Sequence, residues 1–379
     1  MEARVPVTKV CAVCDARYPD DLAFCARDGA ALRAEGGGEE LVGSVIAERY
    51  LVTRLLGEGG MGKVYLARHV RLPQQVAIKV LRADLAHDTA AVARFTREAS
   101  NAAQIEQEHV ARVYDFGETP DGLVYLAMEF VPGETLRHLV EREGALPPRR
   151  VAELVRQIAE GLDAAHQLPH PLIHRDLKPE NVLIVTTASG RDRVKVMDFG
   201  IAKAFGVDER GLTRTGFVVG TPEFMSPEQL LGEPLDARSD VYALALVAFV
   251  CLTGQLPFES TTPERARLGR LLEPPRRLLD LAPEGAWPAS LQAVLDDALS
   301  RDPAARPPTA GDFSERLSAA IGETWGLGSV SGAHVPLRTP DAVPAAVVLP
   351  AEAAAASASA DVATPEPIVR AVEPARSAR

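Results

Sequence analysis

The chain has 379 residues, of which 46% are hydrophobic and 25% charged, a composition typical of a globular protein with room for two or three domains. Its formal net charge of −11 argues against a general binder of nucleic acids or anionic membranes, because either surface calls for an excess of Lys and Arg. We therefore expect no nucleic-acid partner.

The N-terminal segment carries three of the four cysteines. Cys11 and Cys14 form a C-x-x-C pair, Cys25 follows, and Asp28 stands where a fourth cysteine would complete a second pair. A segment as small as 9–33 buries little apolar surface and usually needs a further stabilising element such as a bound metal. Because zinc accepts thiolates and carboxylates, we predict a zinc-ribbon-like module with these four ligands. Free thiols on a flexible leader are the alternative.

The N-terminus has no apolar run of the kind that a signal peptide needs, so we expect a cytoplasmic protein whose cysteines are thiols or metal ligands rather than disulfides. The most apolar stretch, 242–252, is shorter than the roughly 20 residues required to cross a bilayer. We expect a buried core helix there and no direct membrane span.

Residues 34–49 read as a glycine-rich charged linker, and the pattern then changes from strands to helices. Short β-branched or alternating runs predict antiparallel strands at 50–56, 63–70, 74–82 and 123–131. Apolar residues at helical spacing predict helices at 88–105, 149–167, 240–254, 290–302 and 310–321. The sequence therefore predicts an α+β domain over 50–321, with a small sheet-rich lobe (50–130) before a larger helical lobe (131–321).

Beyond residue 321 the periodicity fades. Residues 343–379 are dominated by Ala, Pro and Ser, have no aromatic residue, and cannot bury enough apolar surface to offset the entropy of ordering. We predict a flexible tail over 322–379. An Ala-rich helix at 351–360 is the alternative, limited by the flanking prolines.

The stretch GEGGMGKV, residues 57–64, fits or nearly fits three kinds of phosphate-binding motif. A P-loop needs Ser or Thr after its lysine, where this chain has Val64. A dinucleotide fold needs the glycines to lead into a helix, whereas a strand is predicted after Gly62. A glycine-rich hairpin between two antiparallel strands remains, and its backbone N–H groups can approach phosphate oxygens.

Polar motifs further along the chain decide between these three phosphate-binding motifs. Lys79 ends VAIK, and Glu98 lies on the helix that follows, so a carboxylate can hold an ammonium that grips the inner phosphates of ATP. IHRDLKPENVLI (173–184) and VMDFG (196–200) come next. With these motifs in this order, residues 50–321 resemble the eukaryotic-type (Hanks-type) serine/threonine protein kinases of bacteria.

The resemblance implies the bilobal protein kinase fold, with MgATP or MnATP as the phosphoryl donor. It also implies that Asp176 orients the acceptor hydroxyl and takes its proton, while Lys178 neutralises charge on the transferred group. Asn181 and Asp198 correspond to the magnesium ligands, since their oxygens are hard donors. Lys79 and Glu98 complete the implied catalytic set.

The implied ATP-binding residues lie on the glycine-rich hairpin, on the VAIK strand and between the lobes. They are Leu56, Gly57, Glu58, Gly59, Gly60, Met61, Gly62, Lys63, Val64, Ala77, Lys79, Met128, Glu129 and Val131. Met128 resembles the gatekeeper, and the backbone from Glu129 to Val131 would meet the adenine edge. Val64 and Ala77 would pack on the adenine faces.

The resemblance extends to supporting residues. HRDLKPEN, and GTPEFMSPEQ with Thr221 ahead of Glu228, are typical of the serine/threonine branch. Glu228 and Arg306 correspond to an ion pair that anchors the activation segment, and Asp240 to a residue that holds the catalytic-loop backbone.

Arg175 precedes Asp176 and calls for an anion when the site assembles. Thr213 and Thr215 match positions that related bacterial kinases autophosphorylate. We therefore predict phosphorylation of one or both, with the added charge bound by Arg175. Threonines that are merely exposed in a loop are the alternative.

The implied function is a protein kinase of intracellular signalling that acts on Ser and Thr of proteins and forms a homodimer for autophosphorylation. A scaffold with a kinase fold and little ATP turnover is the rival hypothesis. Intact Lys79, Asp176, Asn181 and Asp198 favour the enzyme.

Overall fold

The computed structural model describes residues 8–11, 16–19, 22, 25–27, 32–34, 41–59, 62–86, 89–187, 189–199, 222–258 and 262–325. The predicted flexible tail beyond 325 lies outside these residues, as does the stretch 351–360 where an Ala-rich helix was the alternative. Residues 322–325 continue the last helix of the preceding lobe.

The described residues of the N-terminal segment include three short strands: β1 (Thr8–Cys11), β2 (Arg17–Pro19) and β3 (Leu32–Ala34). β1 pairs antiparallel with both neighbours, which gives the order β2-β1-β3.

The small lobe is built on an antiparallel sheet. Its strands are β4 (Val45–Ile46), β5 (Tyr50–Gly59), β6 (Gly62–His69), β7 (Gln75–Leu81), β8 (Val113–Glu118) and β9 (Val124–Glu129), in the order β4-β5-β6-β7-β9-β8. The strands predicted at 50–56, 63–70, 74–82 and 123–131 are confirmed. β8 was not predicted, because Asp115 and Gly117 interrupt its apolar alternation.

Helix α1 (Ala83–Ala86) and helix α2 (Thr89–Ala102) follow β7. Ala91, Phe95 and Ala99 recur every four residues along α2, so they share one face, and all three are buried. This face packs against Ala77 and Met128 of the sheet. The predicted helix after the VAIK strand is thereby confirmed.

The large lobe is mainly helical, as predicted. Its helices are α3 (Leu136–Glu143), α4 (Pro148–His166), α5 (Pro227–Leu231), α6 (Ala237–Thr253), α7 (Pro263–Leu272), α8 (Leu278–Leu281), α9 (Ala289–Ala298) and α10 (Ala310–Trp325). A small antiparallel sheet holds β10 (Glu134–Thr135), β11 (Val182–Thr186) and β12 (Asp192–Val196). Short 3-10 turns occur at Pro179–Asn181, Pro222–Phe224 and Pro303–Ala305.

Helix α6 forms the centre of the large lobe. All residues from Ser239 to Thr253 are buried, as expected of a helix that is apolar on every side. Asp236 caps its first turn by accepting from Arg238 N, and Gly254 ends it at φ 74°, a left-handed conformation that favours glycine. The predicted buried core helix is confirmed. Within the described ranges, no helix combines the length and the apolar character that a membrane crossing requires.

The two lobes meet where the segment between α2 and β8 lies against β12. Val196 N donates to His109 O over 2.7 Å, and Ala111 N donates to Val196 O over 2.9 Å, so the two segments form a short parallel bridge at Val110. The bridge ties the small lobe to the strand that leads into Asp198.

Candidate active site

The glycine-rich stretch forms a hairpin between β5 and β6, with Gly59 paired to Gly62. A Cβ at Gly62 would lie 1.9 Å from Val80 O, so no side chain fits there. By contrast, a Cβ at Gly57 or Gly59 would meet nothing within 4 Å. The hairpin is therefore open along one face, and the predicted antiparallel arrangement is confirmed.

The predicted ATP-binding residues lie on adjacent strands of the small lobe. Leu56, Gly57, Glu58 and Gly59 belong to β5; Gly62, Lys63 and Val64 to β6; Ala77 and Lys79 to β7; Met128 and Glu129 to β9; Val131 follows β9. Ala77 pairs with Met128 across the sheet, and Val64 packs in the same apolar cluster. Gly60 and Met61 lie outside the described residues.

Lys79 reaches across the cleft to Asp198. Its Nζ donates to Asp198 Oδ2 over 2.9 Å, although the two residues are 119 positions apart in sequence. Burial alone would raise the pKa of Asp198, but the Lys79 ammonium, helped by His174 and Lys178, holds this pKa below its usual value. The carboxylate is therefore ionised and the pair is charged.

The structure differs from the sequence-based expectation in the partner of Lys79. Glu98 was expected to hold Lys79, yet Lys79 is bonded to Asp198. Glu98 Oε1 instead lies 3.6 Å from Arg175 Nη1. The carboxylates of Glu98 and Asp198 compete for the Lys79 ammonium. Asp198 holds it, and Glu98 lies near the Arg175 guanidinium instead.

Asp176 lies at the centre of a compact polar cluster. Lys178 Nζ is 2.9 Å from Asp176 Oδ2. The 3-10 turn at Pro179–Asn181 brings Asn181 back towards Asp176, so that its Nδ2 donates to Asp176 O over 2.8 Å and to Asp176 Oδ2 over 3.0 Å. These contacts fix the Asp176 carboxylate in orientation.

Asp240 holds the loop that carries Asp176. It accepts from His174 N over 2.8 Å and from Arg175 N over 3.0 Å. Arg175 has a φ of 66°, a left-handed conformation that costs a non-glycine residue free energy and needs such support. His166 Nε2 donates to Asp240 Oδ2 over 2.7 Å. His166 was not predicted, since a lone histidine gives no local signal of a partner 74 residues away.

His174 joins this loop to the segment around Asp198. Its Nε2 donates to Met197 O over 2.8 Å, and its ring centroid lies 4.6 Å from that of Phe199. Met197 N in turn donates to Asn181 O over 2.8 Å. Asp176, Asn181 and Asp198 thus belong to one connected network.

Glu228 and Arg306 form a buried ion pair, with side chains that are 4% and 0% exposed. The guanidinium donates to both carboxylate oxygens, over 2.7 and 2.8 Å, and Ser239 Oγ donates to Glu228 Oε1 over 2.6 Å. Gln229 Nε2 donates to Arg175 O over 2.7 Å, which links this pair to the loop that carries Asp176. Thr213, Thr215 and Thr221 lie outside the described residues.

The part of the chain that carries this site is similar to known proteins. Residues 50–315 match the family model described as a protein kinase domain. The chain belongs to the protein kinase family. The predicted family and the predicted bilobal α+β fold are confirmed for this part of the chain.

Curated relatives of this kinase carry serine/threonine-protein kinase names. It is 43% identical over 283 residues to "Serine/threonine-protein kinase pkn3" of Myxococcus xanthus, covering 74% of this chain and 51% of the relative. It is also 43% identical over 279 residues to PknB of Mycolicibacterium smegmatis, covering 72% and 43%. The chain thus spans about half, or less, of the length of these relatives.

Solved structures support the fold directly. The PknI kinase domain of Mycobacterium tuberculosis superposes with a TM-score of 0.59 at 33% identity, covering 74% of this chain and 98% of that domain. The covered share of that domain is nearly complete, so both kinase lobes take part in the match.

The acid stability of the kinase depends on its buried carboxylates. Burial alone would raise the pKa of Glu228 and of Asp240, but hydrogen bonds from Arg306 and Ser239 to Glu228, and from His166 to Asp240, hold both pKa values below their usual range. Each group then contributes stability that is complete above its unfolded pKa, at about 4, and is lost as the pH falls through the lower folded pKa.

We therefore expect the free energy of unfolding to decrease as the pH is lowered below about 4. Urea unfolding at a series of pH values measures this dependence. The Glu228→Gln variant should show a shallower acid slope than the wild type, because one shifted carboxylate is gone. An identical slope in both proteins would contradict the assignment to Glu228.

The predicted zinc ligands are only partly described. Cys25 is buried, and its Sγ accepts a hydrogen bond from Arg27 N over 3.3 Å and lies 3.1 Å from Tyr18 Oη. Cys11 ends β1, while Cys14 and Asp28 lie outside the described residues. Among the residues that are described, no group of three or more His, Cys, Asp or Glu side chains could hold a metal.

Proposed function

We propose that this kinase transfers the γ-phosphoryl group of MgATP to Ser and Thr hydroxyls of proteins. The observation that carries the proposal is the convergence of Lys79 with Asp198, and of Lys178 and Asn181 with Asp176, in one hydrogen-bonded network at the junction of the lobes. Phosphoryl transfer asks little covalent chemistry of the protein, so positioning and charge neutralisation carry the rate.

The proposed roles follow from the contacts. Asp176 orients the acceptor hydroxyl and takes its proton, and its carboxylate is held for that task by Asn181. Lys178, 2.9 Å from the same carboxylate, neutralises charge on the group in transfer. Lys79 binds the inner phosphates of ATP. Its ammonium gives up part of its contact with Asp198 to do so.

Magnesium fits the residues of this cleft. Asn181 directs its Nδ2 to Asp176, and in the described part of the chain its Oδ1 and Asp198 Oδ1 accept no protein hydrogen bond. Such hard oxygen donors suit Mg²⁺ or Mn²⁺, so we propose Asn181 and Asp198 as the ligands. When bound, the ion neutralises phosphate charge.

For the adenine we propose the pocket between the sheet and the segment 129–131. Ala77, Met128 and Val131 are buried, and Met128 also lines a cavity that reaches Asp198 and Phe199. The glycine-rich hairpin would cover the phosphates, because its open face offers room for close backbone approach.

Incubation of the purified protein with γ-labelled ATP, magnesium and a generic protein acceptor tests the proposal. We expect label in the protein itself and in the acceptor, and acid hydrolysis should release phosphoserine and phosphothreonine. Transfer to tyrosine would contradict the acceptor class. No transfer at all, with ATP still bound, would favour the scaffold hypothesis.

Phosphorylation of Thr213, Thr215 or both is proposed as the activating step. Arg175 lies 3.6 Å from Glu98, and a phosphate carries more charge than this carboxylate, so it can compete for the guanidinium. That exchange would release Glu98 from its contact with Arg175.

We expect the Thr213→Ala/Thr215→Ala variant to lose most of its covalently bound phosphate and to act about tenfold more slowly. Mass spectrometry and initial rates measure the two effects. Thr96→Ala, on the exposed side of α2, is the matched control. Unchanged phosphate content and rate in the double variant would remove the hypothesis.

For the whole protein we propose protein substrates with Ser or Thr acceptors, a homodimer for autophosphorylation, and a cytoplasmic location.

We also propose zinc in the N-terminal segment, bound by Cys11, Cys14, Cys25 and Asp28. Support comes from Cys25, whose buried Sγ accepts a backbone N–H as a metal-bound thiolate would. Metal analysis of the full chain should find zinc, and Cys25→Ser should reduce it while Cys251→Ala does not.

A further inference from the structure

Lys195 has no part in the chemistry described above, yet it lies three residues before Asp198 and makes two directed contacts. Its Nζ donates to Glu129 Oε2 over 2.8 Å and to Val110 O over 3.3 Å. Glu129 Oε2 also accepts from Arg112 N over 3.2 Å. The Lys195 and Glu129 side chains are 14% and 25% exposed, so the ion pair is largely shielded from water.

These contacts join three segments that come from different parts of the chain. Glu129 ends β9 and begins the segment that leads into the large lobe. Val110 and Arg112 belong to the loop before β8, which is already bridged to β12 by backbone hydrogen bonds. Lys195 belongs to β12, which ends two residues before Asp198. One ammonium therefore ties the strand that leads to Asp198 to the end of β9.

We propose that Lys195 is a positioning residue for ATP. Through Glu129 it fixes the adenine end of the cleft relative to Asp198 at the phosphate end, so that ATP meets both ends already aligned. The inference rests on the proposed function, because it assigns a role to the same cleft. Lys195 would act on ATP only through the residues that its ammonium contacts, Glu129 and Val110.

A partly buried ion pair of this kind contributes on the order of one factor of ten or less in an equilibrium constant. We therefore expect Lys195→Met, which keeps the apolar stem and removes the charge, to raise the KM for ATP about three- to tenfold. The dissociation constant of a non-hydrolysable ATP analogue with magnesium should rise equally. The kcat should stay within about twofold, since the reacting groups are untouched.

Two further variants separate positioning from stability. Glu129→Gln should reproduce the effect of Lys195→Met, and Lys195→Arg, which keeps the charge, should restore most of the affinity. Arg316→Met is the control, because Arg316 and Asp297 form a half-exposed ion pair between α10 and α9, 3.9 Å apart. The unfolding temperature of each variant is measured beside the kinetics.

Unchanged ATP affinity in both Lys195→Met and Glu129→Gln would overturn the inference, even if both unfolded at lower temperature, because the pair would then be only structural. An equal rise in the control would overturn it too. Should Lys195→Met fail to fold, Glu129→Gln and Lys195→Arg still decide. If the wild type transfers no phosphate, the proposed function fails, whereas the binding measurements continue to test Lys195.

Discussion

Asp176→Asn should lower the kcat of phosphoryl transfer by about 10²- to 10⁴-fold, the range typical of a lost general base. The amide has the size of the carboxylate and can still contact Lys178 and Asn181, but it cannot take a proton from the acceptor hydroxyl. Initial rates with labelled ATP and a protein acceptor measure the loss. The affinity for a non-hydrolysable ATP analogue should change little.

Asp297→Asn is the matched control, since it makes the same chemical change on the exposed side of α9, away from the cleft. It should keep the wild-type rate. A wild-type kcat in the Asp176→Asn protein would eliminate Asp176 as the base. A loss of ATP affinity as large as the loss of rate would instead assign Asp176 to substrate binding.

Arg306→Leu should lower the free energy of unfolding by about 3–5 kcal/mol, the range measured when one partner of a buried ion pair is removed. The guanidinium makes two bonds to Glu228 and also donates to the carbonyls of Arg238, Ser300 and Arg301. Its loss leaves a buried carboxylate that, among the described residues, keeps Ser239 as its side-chain donor.

Urea unfolding measures this effect, and the fluorescence of the two tryptophans reports it, since Trp287 and Trp325 lie against each other in the large lobe at 6.1 Å between ring centroids. Arg316→Leu breaks the half-exposed pair with Asp297 and should cost no more than about 1 kcal/mol. Adding Glu228→Gln to Arg306→Leu should recover part of the loss, because the unpaired buried charge is removed. No recovery would show that packing rather than charge dominates.

The contacts of Lys79 and Arg175 have a consequence for activity. Lys79 holds Asp198 and Arg175 holds Glu98, so the lysine and the α2 glutamate are each engaged elsewhere. If Lys79 binds phosphates as proposed, its bond to Asp198 has to weaken. A phosphate on the 198–228 segment would bias that change, which is why the proposed Thr213 and Thr215 modification and the Arg175–Glu98 contact belong to one hypothesis.

Local patterns in the sequence were enough to predict the strands at 50–56, 63–70 and 74–82 and the long helices, because the periods of 2 and 3.6 residues record which face of an element is buried. α6 shows this well, since its unbroken apolar run predicted a core helix and the structure buries it on all sides. The motifs HRDLKPEN and DFG also lie in short, continuous stretches of sequence. Their residue types at fixed spacing are those that phosphoryl transfer needs, so the resemblance to the family could be recognised without the structure.

Tertiary structure decided which charged groups meet. Glu98 lies 19 positions from Lys79 and Asp198 lies 119 away, yet Lys79 bonds the distant carboxylate. His166 with Asp240 and Lys195 with Glu129 are further pairs that no local pattern predicts. Coulomb and hydrogen-bond energies change steeply within one or two ångströms, and only the packing of the two lobes sets distances that finely.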